Sequence, residues 1–177
     1  NNGRYGYSIR GNAMRLSLLR APRDPDPTAD TGEHTFTYSI YPHANDWRNG
    51  SVRQGYELNS PLQALVWHRG FEAQATASSL VSLDADHVVI DTIKVAEDSA
   101  DLIVRLYEAH GRRGSVTVSL GWPVGAVAEC DLVEENAVPI AHTSTNFSIA
   151  VTPYEIRTFR VSPAKRPRKA RTVKARE

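Results

Sequence analysis

The sequence predicts an all-β chain of antiparallel β-sandwich architecture. It reads as the distal part of a large sandwich followed by a small terminal β-sandwich. Three observations carry that expectation. Apolar and polar residues alternate with a period of two in many short stretches, the pattern of a strand with one face buried. Turn-forming residues separate those stretches. Helical spacing is confined to one short segment.

In chain order, Met14, Leu16 and Leu18 alternate with Arg15, Ser17 and Leu19, after a Gly11-Asn12 turn. Pro22 to Thr31 forms a long acidic loop. Phe36, Tyr38 and Ile40 then alternate with Thr35, Thr37 and Ser39, which predicts a strand over 35–41. Val52 to Leu58 could form one or two helical turns, weakened by Gly55. Leu62 to Trp67 reads as another strand. Small polar residues from Ala73 to Ser79 read as a linker. Beyond them come Val88 to Val95, Leu102 to Tyr107, Val116 to Leu120, Phe147 to Val151 and Ile156 to Val161, with hairpin-like gaps. The expected organisation is therefore a first sheet assembly over 1–78, a compact sandwich over 79–162, and a basic, disordered tail over 163–177. The first assembly has few strands, and two or three strands alone are marginal. It resembles part of a larger sheet.

Composition is that of a soluble protein, with 41% hydrophobic and 23% charged residues. The net charge of +1 hides an asymmetry. The tail PAKRPRKARTVKARE holds seven of the 21 basic residues and one of the 20 acids, leaving the body 14 basic and 19 acidic residues. The tail has no aromatic residue for base stacking, so nucleic acid is not the expected partner. It also lacks an apolar stripe for a membrane surface, and no run approaches the ~20 apolar residues of a membrane helix. No signal-peptide pattern is visible, and the lone Cys130 excludes an internal disulfide framework. A cytoplasmic setting is the expectation.

Several chemistries can be weighed on motif grounds. Asp30-Thr31-Gly32 matches the catalytic tripeptide of aspartic proteases, but that mechanism needs two carboxylates sharing a proton, and no second copy exists. No two of the six histidines share metal-binding spacing, and HExxH and CxxC are absent. No nucleophile elbow, phosphate loop or dinucleotide fingerprint occurs. Cys130 sits in the apolar and acidic run AVAECDLVEE, which reads as a buried, inert thiol. Thus no catalytic residue and no metal ligand is expected in this chain. Trp47, Tyr41, Tyr56 and Trp67, near Arg20, Asp30, Glu33, Asn45 and Asp46, are the types that contact sugars, although each aromatic is first expected in the core.

Specific strings carry a resemblance. NNGRYG (Asn1 to Gly6), LSLLRAP (Leu16 to Pro22), DTGEHTFTY (Asp30 to Tyr38) and Pro42-His43 occur in the order seen in the C-terminal region of glycoside hydrolase family 38 α-mannosidases. They resemble the cytosolic and bacterial branch, except that Asn2 replaces the usual Asp. LIVRLYEAHG, AECDLVEEN and TPYEIRTFRV resemble the same family's terminal sandwich. The resemblance ends near Val161. It implies a retaining, metal-dependent hydrolase of terminal α-linked mannose, in which the nucleophile and a zinc or other divalent metal belong to an N-terminal catalytic domain. This chain would lack both, be inactive alone, and need no cofactor of its own. Its implied partners are that catalytic domain, mannosides or oligosaccharides, and further copies in a homo-oligomer. Candidates for lining the substrate cleft are Arg20, Asp30, Glu33, His34, Asn2, Arg4 and Tyr5. The competing structural role for Arg20 is an ion pair with Asp24, Asp30 or Glu33. A free-standing carbohydrate-binding module is the alternative function.

Overall fold

The computed structural model describes residues 5–64, 66 and 78–164. The chain divides into two compact units, Asn1–Phe71 and Glu72–Glu177.

The first unit opens with a hairpin of β1 (Tyr7–Arg10) and β2 (Ala13–Leu16). Gly11 takes φ +62° between them, as the first central residue of a tight two-residue hairpin turn requires. The register pairs Tyr7 with Leu16 and Ile9 with Met14. Those four side chains therefore share one face, while Ser8, Arg10, Ala13 and Arg15 share the other. The strand expected over 14–19 stops pairing at Leu16. Helix α1 spans Ser51–Asn59, slightly longer than the sequence suggests. Gly50 in the left-handed conformation leads into it, and the Arg53–Glu57 ion pair at 2.7 Å staples one face. The strand expected over 35–41 joins no ladder among the described residues. Its alternation is a strand's, but a strand is completed by a neighbour's backbone groups. Leu62 to Ala64 and Val66 are likewise in no strand, and the rest of that expected strand lies outside the described residues. No described residue of this unit is buried.

The second unit is a two-layer antiparallel sandwich. One sheet has five strands in the order β4 (Val88–Val95), β5 (Leu102–Glu108), β10 (Ile156–Pro163), β7 (Val124–Cys130), β8 (Val138–Pro139). The other has three in the order β3 (Val81–Leu83), β6 (Gly114–Leu120), β9 (Asn146–Val151). Alternate residues face inward. Val104, Leu106, Phe159 and Val161 from the first sheet meet Val116, Val118, Phe147 and Ile149 from the second. Phe147 and Phe159 pack at the centre with ring centroids 5.0 Å apart. A layer of apolar side chains from two sheets is what makes this architecture stable.

The outer face of the five-stranded sheet is polar and covered by two turns. Arg105 donates to Thr158 Oγ1 at 3.1 Å and to the Leu132 carbonyl at 2.8 Å. Arg160 donates to Asp98 at 2.6 Å and to the Glu134 carbonyl at 3.0 Å. Lys94 pairs with both Glu97 and Glu134. Arg105 and Glu108 lie on opposite faces of β5, and both make their polar contacts within this unit. Cys130 is buried with its thiol toward the Thr158 carbonyl, and burial pushes its pKa up. That is the environment of an unreactive thiol.

Candidate functional site

The candidate site is the loop from Arg20 to His34 in the first unit. Its order comes from short-range hydrogen bonds, as expected of Asp and Thr in turns. Asp26 Oδ1 accepts from the Thr28 N–H at 2.9 Å and the Thr28 hydroxyl at 2.8 Å. Those bonds hold the Asp26 carboxyl below the usual carboxylate range. The Ala29 N–H then reaches the Asp26 carbonyl and the Thr31 N–H the Thr28 carbonyl, winding the chain toward Asp30.

Asp30 is the hub. It sits at φ +57°, a left-handed conformation that Asp tolerates better than most residues, and Gly32 follows at φ +128°. Its carboxylate accepts from the Tyr5 hydroxyl at 3.2 Å and from the Ala21 N–H at 3.1 Å. Its carbonyl lies 3.0 Å from His34 Nε2. The His34 ring in turn stacks on Phe36 with centroids 6.0 Å apart. The structure thus brings Tyr5, Asp30 and His34 together. Arg20 and Glu33 are exposed, with no hydrogen bond or ion pair within the described residues. The ion pair of Arg20 with Asp24, Asp30 or Glu33 is therefore not formed; Asp30 spends its carboxylate on Tyr5 and a backbone N–H instead. Asn2 and Arg4 lie outside the described residues.

An exposed guanidinium, carboxylate and imidazole on one ordered loop can donate to and accept from a hydroxyl-rich ligand. Among the described residues no three His, Cys, Asp or Glu side chains are grouped to hold a metal ion.

The aromatics expected in the core are placed otherwise. Tyr41, Trp47 and Tyr56 are all exposed, and Trp67 lies outside the described residues. No described residue of this unit is buried, so these rings have no core there to enter. Tyr41 stacks on His43 at 5.2 Å and Arg48 lies over Trp47 at 5.1 Å. A contact that sequence reasoning missed is Ser51 Oγ to His43 Nε2 at 3.2 Å, with His43 Nδ1 3.1 Å from the Ala44 carbonyl. The eight-residue separation gave no motif; the contact ties the 43–50 loop to the start of α1.

No helix among the described residues is long and apolar enough to cross a membrane. Comparison with known proteins matches residues 87–159 to the glycosyl hydrolases family 38 C-terminal beta sandwich domain. Alpha-mannosidase 2C1 of Homo sapiens is 44% identical over 138 residues, covering 76% of this chain and 13% of the human protein. Alpha-mannosidase G of Dictyostelium discoideum is 37% identical over 169 residues, covering 90% of this chain and 15% of that protein. Alpha-mannosidase of Saccharomyces cerevisiae is 27% identical over 184 residues, covering 91% and 17%. The chain thus spans under a fifth of the length of these relatives. The order of strings, the sandwich and these matches agree: the chain belongs to the glycoside hydrolase family 38 α-mannosidases, as a C-terminal region.

Proposed function

We propose that this chain is the C-terminal β-sandwich portion of a retaining, metal-dependent α-mannosidase that hydrolyses terminal α-linked mannose. The observation that carries the reading is the match of 87–159 to that family's C-terminal sandwich, in relatives named as α-mannosidases. In this reading the chemistry belongs to an N-terminal catalytic domain of the same enzyme. Retention needs two carboxyl groups close together, one as nucleophile and one as acid and base. The zinc or other divalent metal belongs to that domain too.

The role of this chain is to support that domain and line the substrate cleft. Asp30 acts as a positioning residue, holding the loop through Tyr5 Oη and the Ala21 N–H. Arg20, Glu33 and His34 are the groups that loop presents to sugar hydroxyls, with Asn2 and Arg4, which lie next to Tyr5 in sequence, as further candidates. The parent enzyme is a cytoplasmic homo-oligomer.

The test is turnover of an aryl α-mannoside. The purified chain alone should give none, and the longer polypeptide that contains it should hydrolyse the substrate with retained anomeric configuration, read by NMR. Chelation should abolish that activity. In the longer polypeptide, Arg20→Ala should raise KM about tenfold with a smaller change in kcat, the pattern of a lost binding contact. Turnover by the chain alone would overturn the reading, as would an inverted product.

A further inference from the structure

Away from the 20–34 loop, a hydroxyl and an imidazole meet as a nucleophile meets its base. Ser51 is the first residue of α1, and its Oγ lies 3.2 Å from His43 Nε2. The other ring nitrogen fixes the tautomer of the neutral imidazole. Nδ1 lies 3.1 Å from the Ala44 carbonyl, and a carbonyl oxygen only accepts, so Nδ1 carries the proton. Nε2 is then the bare acceptor, and the Ser51 hydroxyl donates to it. The ring is held on a third side by Tyr41, stacked with centroids 5.2 Å apart. The Tyr41 hydroxyl in turn donates to the Asn49 carbonyl at 3.4 Å. The usual task of a serine at a helix start is capping, but the N-cap here is Gly50 and no side chain caps α1. A hydroxyl bonded to a base that a further group orients is the signature of an activated nucleophile.

Ser51 also lines a groove of about 580 Å³ in the same unit, a volume typical of ligand pockets. Met14, Leu16, Ile40, Tyr41 and Leu58 line it too, and no charged residue does. We propose that Ser51 and His43 form a nucleophile–base pair that hydrolyses esters of apolar carboxylic acids, with the acyl chain seated in this groove. The inference goes beyond the proposed mannoside chemistry and uses none of its residues. Ser51 Oγ attacks the ester carbonyl carbon while His43 Nε2 takes the hydroxyl proton. The carbonyl electron pair moves onto oxygen, where the N–H of Val52, the residue after the nucleophile, is the backbone donor at hand. As that pair returns, the bond to the alcohol oxygen breaks and His43 hands its proton to the departing oxygen. Water then attacks the acyl-Ser51 ester and gives a proton to His43. The acid leaves, and His43 returns the proton to Ser51 Oγ. In total, ester and water become acid and alcohol.

The test uses the full polypeptide in which the cell makes this chain. It is treated with a fluorophosphonate, which modifies activated serines, and the tryptic peptide Asn49–Arg53 is read by mass spectrometry. We expect Ser51 to carry the label and the polypeptide to hydrolyse para-nitrophenyl butyrate. From acetate to butyrate, kcat/KM should rise about threefold for each methylene added, because each enters an apolar groove. Ser51→Ala should lower ester hydrolysis about a hundredfold, and His43→Gln should slow both hydrolysis and labelling about as much. Turnover of an aryl α-mannoside should be unchanged in both variants, which shows that they fold. Ester hydrolysis that survives Ser51→Ala overturns the proposal, as does labelling of Ser51 that is as fast in His43→Gln. If a variant loses mannoside turnover as well, the wild-type label alone decides: an unmodified Ser51 in the wild-type polypeptide overturns the pair. None of these results touches the reading of the chain as part of an α-mannosidase.

Discussion

Replacing Glu108 by Gln isolates the contribution of one buried charge. Glu108 ends β5 on the core-facing side and is 1% exposed. Its carboxylate accepts from the N–H groups of His110 and Gly111 at 2.8 Å each and from Tyr154 at 2.9 Å. It thereby joins the turn after β5 to the turn before β10. Burial pushes the carboxyl pKa up, but the backbone donors of Tyr154, Arg112, His110 and Gly111 outweigh it and bring the value from 4.5 down to about 2. A drop of about 2.5, at about 1.4 kcal/mol for each, comes to about 3 kcal/mol of folding free energy at neutral pH. Because the folded pKa is depressed, that contribution is complete above the unfolded value. It declines as pH falls from about 5 toward 2, and is gone below. Urea unfolding of the chain, followed by the circular dichroism of its strands, should show Glu108→Gln less stable by about 3 kcal/mol at pH 7. The deficit should shrink to about half by pH 3 and vanish near pH 2. A deficit of the same size at pH 7 and pH 3 would refute the reasoning, because it would assign the loss to packing rather than charge.

Phe159→Ala removes the largest fully buried side chain of the core, packed against Phe147. It should cost about 3–5 kcal/mol in the same urea experiment. Gly111→Ala places a Cβ at φ +75° and 2.8 Å from the Tyr154 hydroxyl. The hydroxyl ends an exposed side chain that can swing away, so the expected loss of about 1–2 kcal/mol is backbone strain; adding Tyr154→Phe should recover under about 0.5 kcal/mol of it. Asp30→Ala removes the acceptor of Tyr5 Oη and the Ala21 N–H and strains a residue at φ +57°. Trypsin cleavage after Arg20 and Arg23 should accelerate severalfold, with the urea transition of the second unit unchanged. Asp30→Asn, which keeps an acceptor and tolerates the left-handed conformation, should show little of that effect.

The second unit was legible where alternation and burial coincide. In β5, β6, β9 and β10 every second residue enters the core, so period two in the sequence is period two in space. Strand β7 escaped notice for a physical reason. Its pairing with β10 slips between Ser162 and Pro163, skipping Gly125. Its buried residues then fall at Val124, Val127 and Cys130. That spacing of three belongs to neither template, because a bulge shifts one end of the strand and the 131–136 loop covers Cys130 from the far side. At the candidate site, Asp30 and His34 were visible as polar residues in a turn-rich loop. The donor that orders Asp30, the Ala21 N–H, was not, because every non-proline residue carries the same group. The same holds for Glu108, whose partners are backbone N–H groups brought from two turns.

The contrast between the two units explains why the same kind of pattern was read correctly in one and wrongly in the other. Alternation records only that a segment has an apolar face. Between Val81 and Val161 each such face meets another, and every buried apolar residue among the described ones lies there. In the first unit the alternation of β1, β2 and 35–41 is just as regular, yet no described residue there is buried. Apolar area removed from water is the main favourable contribution to folding, so alternation becomes a packed layer only where burial accompanies it. Over 35–41 the sequence specified an apolar face; what it could not specify was a neighbour whose backbone would turn that pattern into a ladder.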